Sequence, residues 1–273
     1  MRFGLAGSPI AHSLSPAMHN AALAALGIDG RYDLRVTELA DVPALVDELR
    51  RGVWDGCNIT TPLKTAVAPY CVCDETAARA GAVNTVWRDS HDVLRGALTD
   101  VHGVRAPLAE RDVSFSQTLG EALVLGAGGA ARAAALALES LGARVSVAAR
   151  DEAKAAEVLT LLYPDHRGEA LPLGDLTHSS ALAHARVIAQ ATSVGRSGKS
   201  LPLRWADVSA IAFEMLYTPR QTPFLTAAQD AGCQVIEGWE MLLAQGAESL
   251  RLWLGRNDVP VDMMRATLLK ALR

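Results

Sequence analysis

Three stretches of the chain combine residue types and spacings that could do chemistry. Gly126-Ala127-Gly128-Gly129-Ala130-Ala131 fits G-x-G-x-x-[GA] and follows the unbroken apolar run Ala122-Leu123-Val124-Leu125. In that context the first glycine allows a tight turn and the second lets the backbone approach a pyrophosphate. Ala131 permits close helix–strand packing, and the helix N-terminus faces the anion. The next strand ends Val147-Ala148-Ala149-Arg150-Asp151, where an NAD enzyme usually carries an acid for the ribose 2′-hydroxyl. Arg150 offers a guanidinium that matches the fork geometry of a 2′-phosphate, so NADP is favoured over NAD. Asp151 beside it would repel the same phosphate or cap the following helix, which leaves NAD open.

The second stretch is Asn58-Ile59-Thr60-Thr61-Pro62-Leu63-Lys64. Thr61 and Pro62 predict a helix N-cap and its first residue, which places Lys64 in the first turn. There its charge opposes the helix dipole, by some tenths of a kcal/mol up to about 1. The third is a set of polar clusters beside strand ends: Ser8 to Pro16, Gly81 to Thr85, and Thr99-Asp100. In open α/β sheets ligands sit outside the carboxyl ends of strands, and hydroxyls, an amide, a lysine and a carboxylate converging there could hold a polyhydroxylated acid. Taken singly, Ser15 and Asp100 read as helix caps and Asn84 as a turn residue.

The elements that position these groups alternate along almost the whole chain, which predicts α/β architecture with mostly parallel sheets. Strands are expected at Phe3–Ala6, Arg31–Thr37, Gly56–Thr60, Asn84–Trp87 and Leu94–Leu98. Helices are expected after Ser15, with Pro16 in the first position and Gly27 as the stop, and at Val42–Arg51. A second unit begins near Val101, with strands at Ala122–Leu125, Arg144–Ala149, Arg186–Ala191, Ala210–Met215 and Gln234–Ile236. Its helices are Ala131–Leu141, Asp151–Leu162 and Pro223–Ala231; Trp239–Leu254 and Val261–Leu272 follow and are expected to return to the first unit.

Composition narrows the function class. A chain of 273 residues, 50% hydrophobic, can bury a large core, while a net charge of −4 without a basic tract gives no footprint for nucleic acid or an anionic membrane. No apolar run approaches the roughly 18 residues of a membrane span, and the start lacks a signal peptide, so a cytoplasmic protein is expected. Cys57, Cys71, Cys73 and Cys233 have neither zinc nor redox spacing, and no metal is expected.

Taken in order, the motifs resemble those of the shikimate dehydrogenase family. They are Gly7 to Pro16 with His19-Asn20, Asn58 to Lys64, Gly81 to Thr85, Thr99-Asp100 with Gly103, and Gly126 to Ala130. Ala191 to Gly195, Tyr217 with Pro219, Thr222-Pro223, and Gly238 with Met241-Leu242 and Gln245 complete the set. The resemblance implies two domains with a cleft between them. Residues 1–100 plus 239–273 would form an α/β substrate domain with a mainly parallel sheet. Residues 101–238 would form a Rossmann-type doubly wound dinucleotide-binding domain. It also implies reversible NADPH-dependent reduction of 3-dehydroshikimate to shikimate, with Lys64 and Asp100 as the catalytic pair. Ser13 and Ser15 would bind the substrate carboxylate, and Thr60, Asn84, Asp100 and Gln245 its hydroxyls, with Tyr217 nearby. Gly126, Ala127, Gly128, Gly129, Ala130, Arg150, Thr192, Ser193 and Gly238 would line the cofactor site. A monomer or homodimer is expected.

Some positions depart from the family pattern: Leu98 and Gln190 stand where asparagine is usual, Ala149-Arg150-Asp151 replaces Asn-Arg-Thr, Arg196 replaces a common Met, and Glu214 an Asp. Two alternatives therefore stay open: a quinate or aminoshikimate paralogue with relaxed or NAD-preferring cofactor use, and an inactive dinucleotide-binding regulator. The presence of both Lys64 and Asp100 argues against the regulator.

Overall fold

Apolar strand segments and alanine-rich helices assemble into two sheets of six strands each. The computed structural model describes residues 1–111, 120–205 and 208–273. The chain divides into two compact units, Met1–His102 with Leu243–Arg273, and Gly103–Leu242.

The first unit contains β1 (Arg2–Gly7), β2 (Arg31–Val36), β3 (Gly56–Ile59), β4 (Val72–Cys73), β5 (Thr85–Arg88) and β6 (Leu94–Ala97). Their order is β2-β1-β3-β5-β6-β4. Only β5 runs against its neighbours. Its reversal is local: the segment after β5 turns back into β6, with the Asp89 carboxylate accepting from the backbone N–H of His91 at 2.9 Å and of Val93 at 3.0 Å. As a result the ends of β1, β3 and β6 and the start of β5 share one edge of the sheet. All the polar clusters singled out in this unit's sequence lie at that edge. The helix Val261–Ala271 packs on the helix Ser15–Ala25. The aromatic side of the core stacks Phe3 on Trp253 at 4.9 Å. Gly56 makes room for that tryptophan, since a Cβ there would lie 2.5 Å from its ring.

The second unit holds β7 (Glu121–Leu125), β8 (Arg144–Ala149), β9 (Arg167–Pro172), β10 (Ala185–Gln190), β11 (Ile211–Glu214) and β12 (Gln234–Ile236). All run parallel, in the order β12-β11-β10-β7-β8-β9. The strand order reverses between β7 and β10, which is where a doubly wound sheet opens its ligand crevice. Leu123, Val124 and Leu125 are fully buried, as a central parallel strand requires.

Two local expectations are corrected. The helix carrying Lys64 is Lys64–Val67, with Leu63 at the N-cap position, so Thr61 and Pro62 lie outside it. The segment before it is tied down as a turn: Leu63 N–H donates to Thr60 O at 2.9 Å, and Ser8 N–H to Thr61 O at 3.1 Å. Likewise Ser15 does not cap. It is the first residue of its own helix, after Leu14, and makes no capping bond. Short elements without strong periodicity went unread in the sequence, among them β4, β9 and the helices Glu75–Ala80 and Ser180–His184. No helix among the described residues is long and apolar enough to cross a membrane.

Two buried titratable groups couple these units' stability to pH. Glu214, at the end of β11, is fully buried, and burial raises its carboxyl from 4.5 to about 7. It accepts from Leu216 N–H at 2.9 Å and from the Thr222 hydroxyl at 2.7 Å, which oppose the shift without cancelling it. His19 lies fully buried against the Tyr32 ring, 4.3 Å away and 3° from parallel, and desolvation lowers it from 6.5 to about 3. Between 4.5 and about 7 folded Glu214 keeps a proton that the unfolded chain has released, so this group makes stability fall as pH rises. Between about 3 and 6.5 the unfolded chain protonates His19 and the folded one does not, so stability rises with pH. The two slopes oppose each other where they overlap. Glu214→Gln removes the first, so variant stability minus wild-type stability should grow from pH 4.5 to about 7 and then level off. The slope should approach about 1.4 kcal/mol per pH unit at most. Urea midpoints across that range check this, and parallel pH curves for the two proteins would refute it.

Candidate functional site

In the first unit the edge formed by β3, β5 and β6 gathers an ammonium, a carboxylate and two amides. Lys64 starts the helix Lys64–Val67, and its carbonyl accepts from Val83 N–H at 3.0 Å, which ties it to the segment leading into Asn84. Asn84 is held between two strands, its N–H donating to Ala97 O at 3.0 Å and its carbonyl accepting from Ile59 N–H at 2.9 Å. Asp100 is the first residue of the helix Asp100–Ala109, directly after β6. Lys64 Nζ and Asp100 Oδ2 form a hydrogen-bonded ion pair, with side-chain exposures of 14% and 6%.

The second oxygen of Asp100 accepts from Asn84 Nδ2 at 3.0 Å, and the same Nδ2 faces Thr99 Oγ1 at 2.9 Å and Gln245 Oε1 at 3.3 Å. Lys64, Asn84, Asp100 and Gln245 therefore form one connected group. A part-buried ammonium in contact with a buried carboxylate can hold or accept a proton at a defined point. Ser13, Ser15 and Thr60 make no hydrogen bond to this group among the described residues. Thr60 follows β3 at the shared edge, its N–H on Ala6 O at 2.9 Å. The half-buried Ser13 and buried Ser15 follow β1, with Ser15 N–H donating to Ser13 Oγ at 3.2 Å.

Beneath this group lies a polar floor that was not read from the sequence. Asn58, Thr85, Thr99 and Ser249 are all buried and mutually hydrogen-bonded, and Tyr32 Oη donates to Asn58 Oδ1 at 2.9 Å. One signal was available: Ser249 lies four residues after Gln245, on the same face of the helix Gly238–Leu254.

In the second unit the glycine loop sits at the end of β7, and Thr192 and Ser193 follow its neighbour β10. Gly126 has φ +120°, and a Cβ there would be 3.1 Å from Ala191 O, so two features require glycine. Gly128 is the N-cap of the helix Gly129–Ser140, which no side chain caps, and nothing lies within 4 Å of where its Cβ would be. That open, uncapped N-terminus, between Ala127 on one side and Gly129 and Ala130 on the other, fits a dinucleotide pyrophosphate. Ala131 is fully buried, as close helix–strand packing needs. Beside the loop, Gln190 Oε1 accepts from Thr192 N–H at 2.6 Å and fixes the turn after β10.

Arg150 is exposed at the tip of β8. Asp151 is the N-cap of the helix Glu152–Thr160, its carboxylate accepting from the N–H groups of Ala153 at 3.1 Å and Lys154 at 3.4 Å. Its charge is thus directed at a helix N-terminus, which weakens its repulsion of an anion bound at Arg150. Gly238 and Tyr217 are neighbours through the backbone: a Cβ at Gly238 would fall 2.1 Å from Leu216 O and 2.9 Å from Tyr217 N. Arg196 is exposed after β10.

Comparison with known proteins places these features in one family. Residues 5–86 match the shikimate dehydrogenase substrate binding domain, and residues 238–269 the shikimate 5′-dehydrogenase C-terminal domain. The NADP(+) shikimate dehydrogenase of Halobacterium salinarum is 41% identical over 269 residues, 97% of each chain. The crystal structure of shikimate 5-dehydrogenase from Thermus thermophilus in complex with NADP(H) and shikimate superposes with a TM-score of 0.86, at 36% identity and full coverage of both chains. Quinate dehydrogenase from Corynebacterium glutamicum in complex with NAD gives 0.85, at 29% identity and 99% of each chain. With this identity extending over nearly the entire length, the chain belongs to the shikimate dehydrogenase family.

Proposed function

We propose that this chain is an NADP-dependent shikimate dehydrogenase that reversibly reduces 3-dehydroshikimate to shikimate, in the cytoplasmic route to chorismate and the aromatic amino acids. The observation that carries the reading is the Lys64–Asp100 ion pair, held against Asn84 and Gln245 at the strand ends of the first unit. Reducing a ring carbonyl requires a hydride at carbon and a proton at oxygen. NADPH, when bound, supplies the hydride. Lys64 Nζ holds the proton for the oxygen, Asp100 orients the ammonium, and the pair takes the proton back in the oxidative direction.

Asn84, Asp100, Thr60 and Gln245 bind the substrate hydroxyls, Ser13 and Ser15 its carboxylate, and Tyr217 lies by the same ligand. Gly126, Ala127, Gly128, Gly129 and Ala130 take the pyrophosphate, and Thr192, Ser193 and Gly238 line the rest of the cofactor site. Arg150 pairs with the 2′-phosphate, a role supported by the engagement of Asp151 in its own helix. The similarity to a quinate dehydrogenase with NAD keeps quinate as the second reading. A steady-state matrix of shikimate and quinate against NADP and NAD separates the two, and the absence of turnover with every pair would reject both.

Lys64→Ala should lower kcat by about 100-fold or more, the scale for losing a general acid–base, while NADP affinity holds. Undiminished turnover would remove Lys64 from the mechanism. The same variant should also lose stability without ligand, because Asp100 loses its ion-pair partner in a buried place; fully buried pairs broken in this way cost about 3–5 kcal/mol, and the partial exposure of Lys64 lowers that figure here. Thermal unfolding of the apo protein reads it out. Arg150→Ala should raise the Michaelis constant for NADP and leave that for NAD unchanged; equal changes would exclude 2′-phosphate recognition.

A further inference from the structure

The polar floor under Asn84 contains the hydroxyls of Thr85, Thr99 and Ser249, and their hydrogens can be assigned one by one. Ser249 Oγ is fully buried and donates to the carbonyl of Gln245 at 2.9 Å, an oxygen that can only accept. With its one hydrogen committed there, Ser249 can only accept from its other neighbours: Asn58 Nδ2 at 2.9 Å, Thr85 Oγ1 at 2.8 Å and Thr99 Oγ1 at 3.1 Å. The shortest contact takes the hydrogen of Thr85. Thr99, 2.9 Å from Thr85 Oγ1, then donates to Thr85 in turn and keeps a lone pair for Asn84 Nδ2 at 2.9 Å. Its alternative acceptors, Ser249 Oγ at 3.1 Å and Asn84 Oδ1 at 3.2 Å, are both farther away.

We propose that Ser249 is a positioning residue: it sets the direction of a donor chain, Asn84 to Thr99 to Thr85 to Ser249 to the Gln245 carbonyl, that fixes the side-chain amide of Asn84 for substrate. Directionality is what a hydroxyl chain ending on a carbonyl supplies, because each group must donate toward the end that cannot donate. Without Ser249 Oγ, the Thr85 hydrogen turns to Thr99, the Thr99 hydrogen is driven onto Asn84 Oδ1, and the amide rotates. Its Nδ2 then moves off Asp100 Oδ1 and Gln245 Oε1. The placement rests on the reading of Asn84 as a substrate contact. It also explains why Gln245 and Ser249 occur one helical turn apart: one residue meets Asn84 from the side, and the other fixes it from below.

The test measures Michaelis constants for shikimate and for NADP in Ser249→Ala, Thr85→Val, Thr85→Ser and Asn84→Ala. Ser249→Ala and Thr85→Val should raise the constant for shikimate about 10-fold, the scale of one hydrogen bond, with that for NADP within about twofold. Thr85→Ser keeps the hydroxyl and should restore wild-type shikimate binding, although it removes more of the side chain's packing than Thr85→Val does. A purely structural role would instead lower kcat through loss of folded enzyme and leave both constants alone, and that result overturns the proposal. So does an unchanged shikimate constant in Ser249→Ala where Asn84→Ala raises it. If Asn84→Ala itself changes nothing, the reading of Asn84 is wrong and the proposal falls with it. Should Ser249→Ala not fold, the valine and serine variants of Thr85 decide the outcome alone.

Discussion

Placing an ammonium and a carboxylate together at 14% and 6% exposure is unfavourable unless every remaining polar valence nearby is satisfied, and much of the first unit's architecture answers that constraint. Asp100 has a second oxygen, which Asn84 serves; Asn84 in turn needs a fixed amide, which Thr99 and Gln245 constrain. Thr99 draws in Thr85 and Ser249, and Asn58 reaches the same floor while accepting from Tyr32. The antiparallel entry of β5 is part of the same requirement. A strand running the other way would put Thr85 and Asn84 at opposite ends of the sheet from the termini of β3 and β6.

The sequence revealed elements that have a period and a boundary. Gln234–Ile236 and Arg144–Ala149 have the limits that hydrophobic runs predicted. The two-residue β4 and the short helix Glu75–Ala80 lack an unbroken apolar run of that kind, so both were missed. Thr61-Pro62 misled because the pair carries a helix-start signal that a tertiary bond from Ser8 and a local turn bond from Leu63 override. Lys64 and Asp100 were identifiable as types, and their contact across 36 residues of sequence was implied only by resemblance. The floor was invisible for a physical reason: serine, threonine and asparagine at isolated positions look like caps and turns until the fold shows that they face one another.

In the second unit the same distinction holds between what a motif states and what its neighbours add. The glycine spacing announces an anion site, and the structure treats two of its glycines separately, through φ at Gly126 and open space at Gly128. Gln190 stands where the family usually has asparagine, and its side-chain amide oxygen reaches Thr192 N–H. Glu214 stands where a shorter acid is usual, and it ties the end of β11 to Leu216 and Thr222.

The capping role of Asp151 bears on how cofactor use in this protein could be redesigned. Someone seeking tighter NADP discrimination would first remove the acid beside Arg150, and a hydrophobic or basic residue there would also uncap the helix Glu152–Thr160 at a cost of about 1 kcal/mol. Serine, threonine or asparagine would delete the charge and keep the acceptor. Charge and cap are two separable properties of a single carboxylate, and a library at this position that ignores the second would confuse loss of helix order with loss of selectivity.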